Sequence, residues 1–249
     1  MLKKERQAYI LHQLNLHNKV LSSGLCEAIN VSEDTIRRDL QELADSGKII
    51  KVHGGALSLS FSDFNLHNNN VYGKDEKQVI ARKTISLIKE NMVVLTSGGT
   101  TINELARSLP RELKATFISG SIPAILEYSN HPNIDVIVIG DKISKNSRIT
   151  IGADAIAKIR SLKVDLCILG INAIDIKHGV TDCDWDVAQL KKVMIDSSQN
   201  VVALAISEKI DTYQPIHICP LQNIDYLITE LNPDDERLSA YKKMGIQLI

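Results

Sequence analysis

Apolar residues recur at helical spacing over the first third of the chain and then give way to helical patterns alternating with short continuous apolar runs. Ile10, Leu11 and Leu14 predict an amphipathic helix over about residues 3–16. Val20 and Leu21 lead to Ser22, and Leu25, Ala28 and Ile29 form the apolar side of a short second helix ending at Asn30. Ile36, Leu40 and Leu43 make the buried stripe of a third helix. Ser32 caps it by accepting a hydrogen bond from a free amide of the first turn, and Val31 staples onto Ile36. Gly47 suits the left-handed conformation that closes a helix, and residues 48–53 read as a strand running into Gly54-Gly55. Helices, stop and basic hairpin together predict a winged helix-turn-helix, whose second motif helix enters the major groove.

Clear periodicity stops between Leu57 and Gly73, where Ser, Asn and Gly gather, although Phe61, Phe64 and Leu66 argue against a fully solvated tether. The chain is therefore expected to divide into a DNA-reading domain at residues 1–57, a linker at 58–73 and a larger domain at 74–249. The larger domain opens on the helical stretch EKQVIARKTISLIKE. Apolar runs follow at 92–96, 115–119, 134–139, 165–170, 201–206 and 224–229, with helical patterns between them, and IQLI at the end suits a short edge strand. A mostly parallel, buried sheet with helices on both faces accounts for that alternation, so the fold class is α/β.

The third helix leaves Thr35, Arg37, Arg38 and Gln41 on its outer faces. Two adjacent guanidinium groups on such a face are a solvated surface in most helices; the turn and short helix before them favour base reading. With Ser32 they are candidate DNA contacts, and Lys51 and His53 on the wing are expected to meet the backbone. Net charge is −1, from 29 basic and 30 acidic side chains, and residues 1–57 carry eight Lys or Arg against seven Asp or Glu. That balance argues against a strong nonspecific DNA binder and leaves specific reading by a few well-placed cations. Cys26, Cys167, Cys183 and Cys219 form no C-x-x-C pair, so neither a metal site nor a disulfide framework is expected, nor any cofactor. With no continuous apolar segment to act as a signal peptide or to span a bilayer, a cytoplasmic protein without membrane contact is expected.

The run at 92–96 leads straight into Ser97-Gly98-Gly99-Thr100-Thr101, after which a helix begins. Glycines let the backbone amides converge, and hydroxyls beside the positive end of a helix favour an anion such as phosphate. A plain strand-to-helix turn uses the same residues, and the motif alone does not separate the two. Its place at the carboxyl end of a strand favours the ligand.

The stretch VSEDTIRRDLQELADSGKIIKVHGGA resembles the N-terminal signature of the DeoR-type bacterial transcriptional repressors, in its T-x-R-R-D-L core and its terminal H-G-G-A. The likeness continues through the larger domain. Ser97-Gly98-Gly99-Thr100-Thr101 is similar to the family's acid, serine, glycine and threonine loop, with Ser97 in place of the acid and Gly98 in place of the serine. Ser119-Gly120-Ser121-Ile122-Pro123 is similar to a Thr-Asn-Ser turn followed by Pro, and Gly140-Asp141 stands at a Gly-Gly pair. Gly170-Ile171-Asn172-Ala173 occupies the Gly-Ala-Asp-Gly loop, so an amide replaces the carboxylate. Thr181, Asp184 and Lys191 match the motif at the start of a later helix, and Lys209 matches a lysine whose acidic neighbour is here Ile206.

This resemblance implies a sensor domain similar to the sugar-phosphate isomerase fold, its old active site turned into a pocket for a phosphorylated sugar or related effector. Ser97, Gly98, Gly99, Thr100, Thr101, Ser119, Ser121, Asn172, Thr181, Asp184, Lys191 and Lys209 are the effector-binding candidates it carries over. Trp185, the sole tryptophan, is open to two readings, packing or stacking on a ligand. The expected protein is a repressor of sugar or related metabolic genes that binds a double-stranded operator as a homo-oligomer. Two rivals stand beside it. A sugar-phosphate isomerase-like enzyme would need an acid or base where Asn172 offers none, leaving Asp182, Asp184 and Asp186. A regulator with a degenerate pocket would answer to a protein partner through the apolar linker.

Overall fold

In the computed structural model, which describes residues 1–17, 19–59 and 71–249, the chain divides into two units, Met1–Tyr72 and Gly73–Ile249. Phe61, Phe64 and Leu66 of the expected linker lie outside the described residues. The first unit runs α1 (Lys3–His17), β1 (Lys19–Leu21), α2 (Ser22–Ile29), α3 (Glu33–Asp45), β2 (Ile49–Val52) and β3 (Gly55–Ser58). Its core joins Ile10 and Leu14 of α1, Leu25 of α2, and Ile36, Leu40 and Leu43 of α3, with Val31 packed at the edge. The ends of α3 follow the local signals. Ser32 Oγ accepts from the Thr35 amide at 3.3 Å. At the other end the Lys48 amide donates to Leu43 O and the Gly47 amide to Ala44 O, both at 2.9 Å, around Gly47 at φ +68. That paired closure is what glycine allows, because a side chain is strained there.

The wing is a hairpin in which Val52 pairs with Gly55 across the two-residue turn His53-Gly54. Periodicity did not announce β1, a strand of three residues that pairs antiparallel with β3 on the side away from β2. It explains the second glycine of His53-Gly54-Gly55: a Cβ on Gly55 would lie 1.9 Å from Val20 O, so β1 can lie against β3 only over a bare backbone. Asp39 points inward from α3, its carboxylate receiving Arg6 Nε at 2.6 Å and Nη2 at 3.2 Å. This forked pair joins α1 to α3 with the carboxylate almost wholly buried.

The second unit runs α4 (Lys74–Ile85), β4 (Val93–Thr96), α5 (Thr100–Ser108), β5 (Ala115–Ser119), α6 (Ile122–Ser129), β6 (Ile134–Val138), β7 (Lys142–Ser144), β8 (Ile149–Ile151), α7 (Ala153–Arg160) and β9 (Val164–Gly170). It continues with β10 (Ala173–Asp175), β11 (Gly179–Asp182), α8 (Trp185–Asp196), β12 (Ser198–Leu204), β13 (Ile216–Cys219), β14 (Tyr226–Ile228), α9 (Ser239–Lys243) and β15 (Gln247–Leu248). Seven strands form one sheet in the order β15-β14-β12-β9-β4-β5-β6, every pairing parallel. Each apolar run read from the sequence supplies one strand, and the chain end adds the edge strand β15. Two antiparallel pieces were not expected, the β7-β8 hairpin and the small sheet β10-β11-β13. Strands of three or four residues give too few alternations to separate from loop. The carboxyl ends of β4, β5, β9 and β12 share one edge of the parallel sheet, where ligands of open α/β folds bind.

Candidate functional site

On the first unit, Arg37, Arg38 and Gln41 are exposed on α3 while Ile36, Asp39 and Leu40 face inward. Among the described residues neither arginine is in an ion pair. Gln41 Oε1 accepts from Lys51 Nζ at 2.8 Å, and its amide nitrogen donates to Asp45 Oδ1 at 2.7 Å. The wing is thereby fastened to the outer face of α3, and exposed His53 sits at the hairpin turn. Ser32 and Thr35 are occupied with the helix end, their hydroxyls 2.9 Å apart. Two acids of this unit are turned away from the arginines, Asp39 to Arg6 and Glu42 to Lys3 at 2.7 Å and Gln7 at 2.9 Å. Arg37 and Arg38 stay outside these two pairings, in a domain of nearly balanced charge.

In the second unit the loop after β4 and the segment after β9 are joined residue by residue. The Gly170 amide donates to Ser97 Oγ at 3.0 Å. Lys209 Nζ donates to Ile171 O at 2.9 Å. Asn172 Nδ2 donates to Asp182 Oδ1 at 3.1 Å, and Asp182 Oδ2 receives Lys191 Nζ at 2.8 Å. Three successive residues thus bring the glycine loop, Lys209, Asp182 and Lys191 together at the carboxyl edge of the sheet. Gly99 has φ +111, and no side chain caps the start of α5. Gly98 lies so close to the end of β5 that a Cβ there would be 3.2 Å from Ser121 Oγ. Ser121 is 1% exposed, and its hydroxyl has no hydrogen-bond partner among the described residues. Ser119 is spent on the fold, donating to Thr96 O and accepting from the Ser121 amide, both at 3.1 Å.

A third lysine belongs here, and its sequence setting concealed it. Lys77, inside the first helical stretch of the domain, is 5% exposed on α4, which packs along α5. Burial lowers its amine to about 8, against the pull of Glu104, Glu76 and Glu208. Lys209 falls further, to about 7, through burial and then through the nearby charges of Lys77 and Lys191. Burial would raise the Asp182 carboxyl, but Lys191, the Asp184 amide and Asn172 outweigh it and hold the group below its ordinary value. The site gathers three lysines near the fully engaged Asp182, with Glu104, Glu76 and Glu208 acting on Lys77.

Other candidates lie elsewhere. Thr181 Oγ1 accepts from the Gln214 amide at 2.8 Å, on the face of β11 opposite Asp182. Asp184 caps α8 by accepting from the Val187 amide at 3.2 Å, and Asp186 is exposed. Trp185 is 65% exposed. Asp141, which stands where a second glycine was expected, accepts from the Asp154 and Ala155 amides at 3.0 and 3.1 Å and secures the start of α7. All four cysteines are free, and among the described residues no three His, Cys, Asp or Glu side chains cluster as metal ligands. No described helix is long and apolar enough to cross a membrane.

A winged helix-turn-helix followed by an α/β unit with a cationic cluster at its sheet edge has the construction of a DNA-binding transcription regulator. Residues 6–61 match the family model of the DeoR-like helix-turn-helix domain, and residues 73–231 match that of the DeoR C terminal sensor domain. The HTH-type transcriptional regulator GolR of Listeria innocua is 32% identical over 246 residues, covering 97% of this chain and 96% of that one. The HTH-type transcriptional repressor GlcR of Bacillus subtilis is 29% identical over 253 residues, covering 100% and 96%. The chain belongs to the DeoR family of DNA-binding transcriptional regulators. Among solved structures, ribose 5-phosphate isomerase A of Methanocaldococcus jannaschii is similar with a TM-score of 0.41 and 17% identity, over 55% of this chain and 54% of that one.

Proposed function

We propose that the second unit holds a phosphorylated sugar or a related small anion at the lysine cluster, and that its binding releases the first unit from the operator, so that the chain acts as a repressor. The observation that carries this reading is Lys209, brought to about 7 by burial and by two neighbouring lysines. Lys191, Lys209 and Lys77 stand near Asp182, which is already bonded to four donors; Glu104, Glu76 and Glu208 act on Lys77 without restoring its ordinary value, and a further negative charge favours the charged forms of all three lysines. A phosphate supplies it. The uncapped start of α5, the bare backbone at Gly98 and Gly99 and the unpartnered hydroxyl of Ser121 suit its oxygens. Thr100 and Thr101 lie in the first turn of the same helix.

A regulator is favoured over an isomerase by the state of the acids. Asp182 is saturated and Asp184 is a helix cap, so neither is free to exchange a proton with a substrate carbon. On the first unit, Arg37, Arg38 and Gln41 read bases, while Lys51 and His53 hold the backbone. Two such heads in a homo-oligomer match a two-fold operator. Ligand and DNA are linked by a coupling of about 1–3 kcal/mol, or roughly 5–150-fold in affinity.

The test pairs two readings of one titration. Ribose 5-phosphate, glucose 6-phosphate, fructose 1-phosphate and inorganic phosphate are added while melting temperature and binding to labelled DNA from the upstream region of the gene are followed. The expected result is a rise in melting temperature with one sugar phosphate and a matching loss of DNA binding, both absent in Lys209→Met. Stabilisation by none of the compounds overturns the ligand reading, and tighter DNA binding on addition of ligand overturns the repressor reading.

A further inference from the structure

The small sheet β10-β11-β13 has two different faces. Val180 and Asp182 of β11 turn toward the core and the lysine cluster. Gly179 and Thr181 turn the other way and line a cavity of about 520 Å³, within the roughly 300–1,000 Å³ of small-molecule sites. Ile176, Tyr213 and Met244 also line it, and they remain 37%, 64% and 40% exposed. Three large apolar side chains left in water around one concavity are not explained by the packing of this unit.

The wall is fixed before anything binds. The rings of His178 and Tyr213 stack with centroids 4.4 Å apart and planes 28° from parallel. His178 Nδ1 lies 2.6 Å from Asp175 Oδ1, which also accepts the Lys177 and His178 amides at 2.9 Å. Thr181 Oγ1 holds the Gln214 amide, and with it the loop that carries Tyr213. Gly179 has φ +67, and a Cβ there would come within 2.3 Å of Cys219 O, so the hairpin turn is pressed against the end of β13. Such preorganisation lowers the ordering cost of binding. The lining contributes Lys177, His178 and His217 and no carboxylate; the nearby Asp175 is committed to His178 and the turn.

We infer that this cavity is a second ligand site, separate from the lysine cluster, and that it takes a small molecule with a flat aromatic or heteroaromatic ring bearing an anionic group. The ring stacks on the Tyr213-His178 pair, as aromatic faces do at offset spacing. The anion meets the basic side chains of the rim. Because Thr181 and Asp182 are consecutive on β11, a ligand here rests on the other face of the strand that positions Lys191.

Calorimetric titration of the full chain tests this with four probes: nicotinate and adenosine monophosphate as flat anions, cyclohexanecarboxylate as an anion without a flat ring, and benzamide as a flat ring without charge. At least one flat anion is expected to bind with a submillimolar Kd, and both controls to bind at least about 10-fold more weakly. Tyr213→Ala, an exposed position, should weaken the flat anion about 10-fold with an unchanged melting temperature, and Lys209→Met should leave it unaltered. The choice between nicotinate and adenosine monophosphate tells a carboxylate from a phosphate. Failure of both flat anions, equal binding of cyclohexanecarboxylate or benzamide, or loss in Lys209→Met but not in Tyr213→Ala overturns the inference. Because Lys209→Met disables only the lysine cluster, these outcomes leave the sugar-phosphate reading of that cluster to its own titration.

Discussion

With burial and the charges of Lys77 and Lys191 bringing Lys209 to about 7, about half of the ligand-free molecules are expected to carry it neutral at pH 7. A phosphate set among the three lysines favours their charged forms, so binding takes up a proton. If the complex keeps Lys209 charged through pH 9, apparent affinity follows the charged fraction of the free protein, about 0.5 at pH 7, 0.09 at pH 8 and 0.01 at pH 9. Affinity then falls roughly 5-fold from pH 7 to 8 and about 9-fold more from pH 8 to 9. Lys77, at about 8, steepens the upper part of the fall. Proton uptake per ligand from Lys209 rises from about 0.5 at pH 7 to about 0.9 at pH 8. Calorimetry at each pH in two buffers of different ionisation enthalpy reads both quantities, and working at pH 7 and above keeps the second phosphate ionisation, near pH 6, out of the window. Lys209→Arg, which stays charged, should flatten the profile. Equal affinity at pH 7 and 9, with no buffer-dependent heat, would refute the picture of a cation held in reserve.

Lys209→Met should raise the melting temperature of the ligand-free protein. The folded-state value near 7 lies below the ordinary 10.5, so the unfolded chain binds more protons between those values. The wild-type protein should therefore gain stability as pH rises from 7 toward 10.5, and the variant's advantage, largest below pH 7, should fade over that window. Arg37→Ala and Arg38→Ala should each cost roughly 1–3 kcal/mol of specific operator binding where the side chain reads a base, and should lower the salt slope where it meets a phosphate. Unchanged anisotropy titrations for both at several salt concentrations would remove α3 from the interface. Gly55→Ala should destabilise the first unit by about 1–3 kcal/mol through the clash with Val20 O. Gly54→Ala, in open space at φ +76, should cost only about 1 kcal/mol. Denaturant melts that rank these two the other way would contradict the packing of β1 on β3.

What sequence made visible was what chain neighbours decide. Ser32, Gly47 and the Ile36-Leu40-Leu43 stripe act within one or two turns, so α3 could be placed from its own residues. Asp39 stood in plain sight inside the T-x-R-R-D-L run, but its partner Arg6 lies 33 residues earlier, and no local pattern couples them. Lys77 lies among charged residues in EKQVIARKTISLIKE, and its burial depends on packing that the local pattern does not carry. Thr181 and Asp182 show how narrow the margin is on a strand. Side chains alternate from face to face, so one position decides that Asp182 meets the lysines and Thr181 the outer cavity. The short strands β10, β11 and β13 gain their stability from pairing over long separations, and short apolar stretches bounded by Gly179 and Pro215 carry little trace of it.

The period of α3 divides its positions into two sets that answer to different demands. Ile36, Leu40 and Leu43 join a core whose described buried members span residues 10–56, and Asp39 is committed to Arg6, whereas Arg37, Arg38 and Gln41 are exposed. Exchange at Arg37 and Arg38 can therefore stay below a folding threshold, since exposed helix positions tolerate it at a few tenths of a kcal/mol, whereas Gln41 also ties the wing to α3. If Arg37 and Arg38 read the operator, exchange there should change the preferred sequence while leaving the second unit intact. The same head joined to a foreign sensing unit should bring its operator with it.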